Sequence, residues 1–295
     1  MARQPRQVTS DYDYTVEKVP VFTPEGENTG SFMTRRTDDG TILKVGVTKD
    51  YNVVNNAQVV DPVKDVLADL GLEATSEKYY VMNGGARFKA RFEFKDEQVE
   101  IPQVGDVLGF RLDVDNSFNL MHRIRTIGGA LRLACLNGMT TLDKEHGISA
   151  KHSNKFSIDS VIKAVRDSLT AFKALGDKNN IFTRMAGVNV SQEKGLNVLQ
   201  NLTDKGTISE VRREGIARIW NNPSHEEDSE RNLYNLLNAT TQFATHEVAE
   251  THFEMSEKLT NNITKLFSKA VDNESSLNLL WKEPKKKEVV VTVTE

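Results

Sequence analysis

Between Arg87 and Phe94 the chain reads Arg-Phe-Lys-Ala-Arg-Phe-Glu-Phe, an unbroken alternation of charged and apolar residues. Successive side chains of an extended strand point to opposite faces. The segment therefore predicts a strand with Phe88, Ala90, Phe92 and Phe94 on a core. Arg87, Lys89, Arg91 and Glu93 form the other face, left to solvent or to a ligand. Asn83-Gly84-Gly85 just before it is a hairpin signal, because Asn and Gly tolerate positive φ. The strand before that turn is Thr75–Met82. An antiparallel sheet with one apolar and one basic face is the frame into which the rest must fit.

Up to about Ile127 the pattern stays strand-like, with β-branched and aromatic residues between Gly, Asn, Asp and Pro. Tyr14–Val16, Ser31–Arg35, Ile42–Val47, Tyr51–Val54, Asp106–Val114 and Asn119–Ile127 are the further expected strands. One helix interrupts them, with Asp61 as N-cap, Pro62 at the first helical position, a stripe of Val63, Val66, Leu67 and Leu70, and Gly71 as stop. From about Gly128 helical spacing takes over. Ala130–Leu136 reads as helix, with Asn137-Gly138 ending it in a left-handed turn and Arg132 aimed at the basic strands. Ser157 opens an amphipathic helix that stops near Gly176. Thr207-Ile208-Ser209-Glu210 fits a capping box, and Asp228 to Asp272 is two helices or one kinked one. The fold class is α+β: an antiparallel sheet with basic hairpins and one or two helices, then a helical C-terminal region. The expected organisation is an N-terminal segment (1–40), a strand-rich core (41–155), a helical region (156–280), and a basic linker and tail (281–295).

Composition limits what such a chain does. Its 295 residues are 38% hydrophobic and 27% charged, enough for a core and against wholesale disorder. The longest apolar run, four residues ending at Val81-Met82, is far short of a bilayer span. No apolar stretch follows the basic start, so no secretory signal is read there. The single cysteine, Cys135, rules out an internal disulfide and is expected to be a small core residue. A soluble, cytoplasmic protein is expected.

Searches for chemistry come back mostly empty. The sequence holds no GxxxxGK[ST] loop, GxGxxG, HExxH or GxSxG. Gly84-Gly85 and Gly128-Gly129 read as turns. His246 and His252 are six residues apart, the wrong spacing for two ligands on one helix face. Asp113, Asp115 and Asn116 fit either a cation site or an exposed turn. No catalytic residue, metal or cofactor is assigned.

What stands out is local charge. The formal net charge is −4, yet Gly84–Lys95 carries an excess of three positive charges, and Asn119–Arg132 holds Arg123, Arg125 and Arg132 with no acid. Arg87, Lys89 and Arg91 would stand roughly 6.5–7 Å apart along a strand, close to the phosphate spacing of an extended single strand. Local sign matters more than total charge for steering a polyanion. Tyr79, Tyr80, Phe110 and Phe118 are nearby aromatics, most of them expected in the core.

At Arg132-Leu133-Ala134-Cys135-Leu136-Asn137-Gly138-Met139, followed by Lys151-His152-Ser153, the chain resembles an uncharacterised phage/plasmid-like family, a domain of unknown function. Tyr51-Asn52-Val53-Val54-Asn55, Asn83–Phe88 and Asp115-Asn116-Ser117 support it in order, and the resemblance covers about residues 40–255. Asn238-Ala239-Thr240-Thr241-Gln242-Phe243 is similar to a helical segment of that family, with Gln242 and Phe243 in place of an acid and a tyrosine. The strand-rich half followed by helices is also broadly similar to phage single-strand annealing proteins of the Rad-fifty-two type. These resemblances imply a homo-oligomeric, non-enzymatic protein that binds single-stranded nucleic acid and promotes recombination or annealing, in the bacterial host cytoplasm if phage-encoded. Arg87, Lys89, Arg91, Arg123, Arg125 and Arg132 would contact phosphates, with Lys151 and His152 secondary. The competing readings are a structural or protein-interaction factor of phage takeover or assembly, and a metal-dependent nucleic-acid enzyme using Asp113 and Asp115.

Overall fold

The computed structural model describes residues 6–8, 12, 14–102, 104–134, 137–139, 148–153 and 156–282. In chain order the strands are β1 (Arg6–Val8), β2 (Val16–Phe22), β3 (Asn28–Arg36), β4 (Ile42–Val47), β5 (Ser76–Met82), β6 (Arg87–Glu100), β7 (Val107–Ser117), β8 (Ile124–Arg132), β9 (Asn137–Met139) and β10 (Ile148–Ala150). The helices are α1 (Ala57–Asp69), α2 (Ile158–Lys173), α3 (Ile181–Ala186), α4 (Gln192–Asp204), α5 (Glu210–Asn221), α6 (Leu233–Phe243), α7 (Ala249–Asp272) and α8 (Glu274–Trp281).

The alternating segment lies in β6, the centre of the main sheet. Strand order is β1-β5-β6-β7-β8-β10, with β9 beside β8, and the pairings are antiparallel. The β5–β6 hairpin forms as expected, with Asn83, Gly84 and Gly85 all at positive φ in its turn. Phe88, Ala90, Phe92, Phe94, Phe110, Leu112 and Val114 are buried in one apolar cluster with α1 and α2. Phe110 meets Phe172 of α2 at 5.3 Å between ring centroids. Burying a Phe of this kind contributes about 1.5–3 kcal/mol, so the alternation itself holds the sheet to its helices. A smaller sheet, β2-β3-β4, docks on the β5–β6 turn, where Tyr14 donates to the Gly85 carbonyl and Thr34 to the Phe118 carbonyl.

The same apolar cluster extends into the C-terminal helices. Two glycines set their spacing: a Cβ on Gly195 of α4 would lie 2.4 Å from the Trp220 indole, and one on Gly215 of α5 only 2.1 Å from the Phe243 ring. Between α6 and α7 the helix passes through a π-helical turn, Ala244–Val248, so the stretch before Asp272 is two helices joined by an irregular turn.

Several local expectations need correction. Gly128 and Gly129 are not a turn: they pair with Leu112 and Arg111 in the middle of β8. Ala130–Arg132 is strand rather than helix, and Asn137-Gly138 returns beside it as β9. The apolar run there was too short for periodicity to separate strand from helix. Asn119–Ile127 is a strand only from Ile124, because Phe118–His122 forms the bend that joins β7 to β8. Tyr51–Val54 lies outside any strand. Helix α1 begins four residues before Asp61, since the Asn56 carbonyl accepts from Val59 and Val60, and Pro62 sits inside the helix. Helix α5 starts at Glu210 with Ser209 as N-cap and no side-chain cap, so the capping box does not form. Cys135 and the tail from residue 283 lie outside the described residues.

Candidate nucleic-acid interface

The second face of the main sheet is a grid of charge. In one row across it stand Tyr80, Lys89, Asp115, Arg125 and Ser149; in the next, Lys78, Arg91, Asp113 and Ile127; then Ser76, Glu93, Arg111 and Gly129. Strand alternation alone puts them there, and antiparallel pairing sets cation opposite carboxylate. Asp113 receives paired bonds from Arg91 (2.8 and 2.9 Å) and from Arg111 (3.2 and 2.6 Å). Asp115 lies 2.9 Å from the Lys89 Nζ and 2.5 Å from an Arg125 Nη.

This face is not open along its length. Glu257 of α7 reaches down onto it, its carboxylate 2.9 and 3.0 Å from the Lys89 Nζ and 2.9 Å from Arg91. Lys89 is 4% exposed, and Arg111, Asp113 and Asp115 are likewise buried. The electrostatics follow. Burial works against the charged forms, yet the Arg111, Arg91 and Lys89 charges hold Asp113 well below the usual carboxylate range. Lys89 and Arg125 lower Asp115 in the same way. Asp115, Glu257 and Asp113 in turn raise Lys89 despite its burial. The exposed turn expected at Asp113-Asp115-Asn116 is instead the buried middle and end of β7. Its two carboxylates are committed to four cations, which leaves little of the negative charge a divalent ion needs.

The end of the sheet beyond Asp115 differs. Arg125 is about one-third exposed; one Nη is on Asp115, and its Nε is buried without a partner among the described residues. Arg123, two residues earlier, and Lys151, two residues beyond Ser149 of β10, are exposed with no acidic partner among the described residues. Arg87, half-buried at the start of β6 opposite Ser117, completes the group. The strands of Arg87 and Arg125 flank β7, about 9–10 Å apart. His122 sits among them, and burial followed by the Arg87 and Arg125 charges pushes its pKa down to about 4. The bend above presents Leu120 (49% exposed, φ 64°) and Met121 (68% exposed). The strand parity of the sequence puts Met121 on the same face as Arg123 and Arg125, but gave neither apolar residue a role.

Two expected contacts lie elsewhere. Arg132 falls on the opposite face from Arg125, since seven residues separate them along β8. It is 1% exposed, with Nε and Nη2 on Asp106 (2.8 and 2.7 Å) and Nη1 on Asp228 (2.7 Å), while Asn238 of α6 also donates to Asp228. The expectation that it points to the basic strands is corrected: it ties the sheet to the C-terminal helices. His152 is buried, its ring stacked on Tyr51 at 5.1 Å. Neither ring nitrogen makes a hydrogen bond of ordinary geometry. Burial pushes its pKa down to about 4, with the Asn52 backbone pulling weakly the other way. Among the aromatics, Tyr79, Phe110 and Phe118 are core, whereas Tyr80 lies on the charged face near the Arg91 guanidinium.

Segments far apart in sequence meet at the open end. Asn116 donates to the Val54 carbonyl and to Asn56, Tyr51 donates to the Ser117 carbonyl, Asn52 bonds the His152 carbonyl, and Ser117 bonds both backbone groups of His122. Among the described residues no helix is long and apolar enough to cross a membrane. No curated protein and no solved structure matches the chain. Residues 45–280, most of the sequence and most of the core just described, match the family described as Domain of unknown function (DUF932), and the chain belongs to that family.

Proposed function

We propose that the protein binds single-stranded nucleic acid across the open end of its charged sheet face, in phage or plasmid recombination or annealing. The supporting observation is that Arg123 and Lys151 are exposed with no acidic partner among the described residues, beside the one-third-exposed Arg125 and the half-buried Arg87. Phosphates contact such cations, and exposed Leu120 and Met121 beside them offer apolar surface to unstacked bases. Four tethered segments fix this end rigidly, which lowers the ordering cost of binding. Each protomer covers only a few nucleotides, so a homo-oligomer would supply useful affinity through effective concentration. The likeness to annealing proteins of the Rad-fifty-two type is an analogy of element order, a strand-rich half with a basic hairpin followed by helices. A host-cytoplasm location belongs to the same proposal.

A protein-interaction role is the second reading, favoured by Phe22, Ile42 and Val45, each more than half exposed on the small sheet. Salt separates the two. Four phosphate contacts to a single strand give a slope near −2.8 in log affinity against log salt, about a fifty-fold loss between 50 and 200 mM. Fluorescence anisotropy with a labelled single-stranded oligonucleotide should show that loss. No binding at 50 mM, or binding indifferent to salt, removes the nucleic-acid reading and leaves the protein-interaction one.

A further inference from the structure

The sheet face carries more positive charge than its own acids neutralise. Arg87, Lys89, Arg91, Arg111 and Arg125 face only Asp113 and Asp115 from the strands, and Glu93 is engaged by Lys78. A further anion comes from outside the sheet. One oxygen of Glu257 lies 2.9 Å from both the Lys89 Nζ and an Arg91 Nη and 3.7 Å from Arg111, and its other oxygen is 3.0 Å from Lys89. Two oxygens held by a lysine and two arginines is the arrangement that receives a phosphate group.

Helix α7 bears that carboxylate and is entered through an irregular turn. Helix α7 is buried at Leu259, Ile263 and Phe267 beyond Glu257, and at Ser256 beside it. On the N-terminal side it is reached through the π-helical turn Ala244–Val248, where Ser256 donates to the Ala244 carbonyl. Such π-helical turns are rare and occur frequently at functional sites. The contact of Glu257 with the sheet is ionic, and an anion of equal or higher charge replaces it without leaving the cations bare.

We infer that Lys89, Arg91 and Arg111 form a second phosphate site, closed in this structure by the Glu257 carboxylate acting as an internal substitute for a nucleic-acid phosphate. This inference rests on the proposed function: a strand entering at Arg87 and Arg125 displaces Glu257 and continues along β6 to the inner cations. The ligand class is the phosphodiester backbone, and α7 is the strap that admits it. A purely structural Glu257 would dock α7 and contribute nothing to affinity.

The test uses the full chain and a labelled single-stranded oligonucleotide. Glu257→Gln keeps the size and removes the charge. It should bind at least ten times more tightly than wild type at 50 mM salt, with a slope steeper by about 0.7 because one more phosphate is engaged. Hydrogen exchange of wild-type α7 amides should accelerate when the oligonucleotide saturates the protein. A folded E257Q with unchanged affinity and slope overturns the inference, while salt-sensitive wild-type binding would leave the proposed function standing. If neither protein binds at 50 mM, both fall together. Should E257Q fail to fold, wild-type exchange decides: faster exchange at α7 on saturation supports the strap, and unchanged exchange overturns it.

Discussion

Two arginine–carboxylate clusters sit on opposite faces of the same strand, β8, and they do different work. Around Arg132 the guanidinium spends its Nε and both Nη on Asp106 and Asp228, with Asn238 completing the set, and solvent is excluded. Around Arg125 one Nη is paired, the buried Nε is not, and Arg123 and Lys151 add exposed charge with no acidic partner among the described residues. The first is a closed fastening between sheet and helices. The second is an open surface with spare donors. Both are arginines of one stretch of sequence that holds no acid, so the identity of a charged residue says little about its availability. What distinguishes them is whether a second element brings enough carboxylate to finish the coordination.

The sharpest way to break this contrast is to remove Arg132. Arg132→Met leaves Asp106 and Asp228 buried without their cation, and losing one partner of a buried pair costs about 3–5 kcal/mol. Urea unfolding should show that loss; a stability close to wild type would mean the cluster is as open as the one at Arg125. Next comes the open end itself. Arg87→Glu with Arg125→Glu should weaken single-strand binding at least a hundred-fold at 50 mM salt, while the thermal midpoint changes far less than for Arg132→Met. An unchanged affinity in the folded double variant would move the binding surface elsewhere.

The smallest effect concerns the histidine packed beside the open end. His152 has a folded pKa near 4 against an ordinary 6.5, so it is neutral in the fold and takes up a proton on unfolding below about pH 6.5. Its contribution is therefore fully present above pH 6.5 and is lost as pH falls from 6.5 toward 4. His122 acts in the same window and direction. The lowered pKa values of Asp113 and Asp115 act only below the ordinary carboxylate range, so the two effects separate on a pH axis. His152→Phe keeps the stack on Tyr51 and removes the proton acceptor. It should recover about 1–3 kcal/mol of the stability lost between pH 6.5 and 4. A pH–stability profile that stays parallel to wild type would show that the ring is reached by solvent.

Much was legible before any coordinates. The alternation at Arg87–Phe94 determined a strand with an apolar and a charged face, because side-chain direction in a strand depends only on position parity. The turn at Asn83-Gly84-Gly85 was legible because positive φ restricts which residues fit. The helix opened by Ser157 was also legible, because an apolar stripe of about four turns cannot be satisfied by a strand. The tertiary structure decided the rest. Gly128-Gly129 became mid-strand only through pairing with β7, and Arg132 went to the far face because β8 runs straight through the glycines. Glu257 met Lys89 and Arg91 across more than 160 residues of chain. Local propensity and periodicity are encoded within a few residues, whereas burial and the pairing of charges depend on which distant segment arrives to cover them.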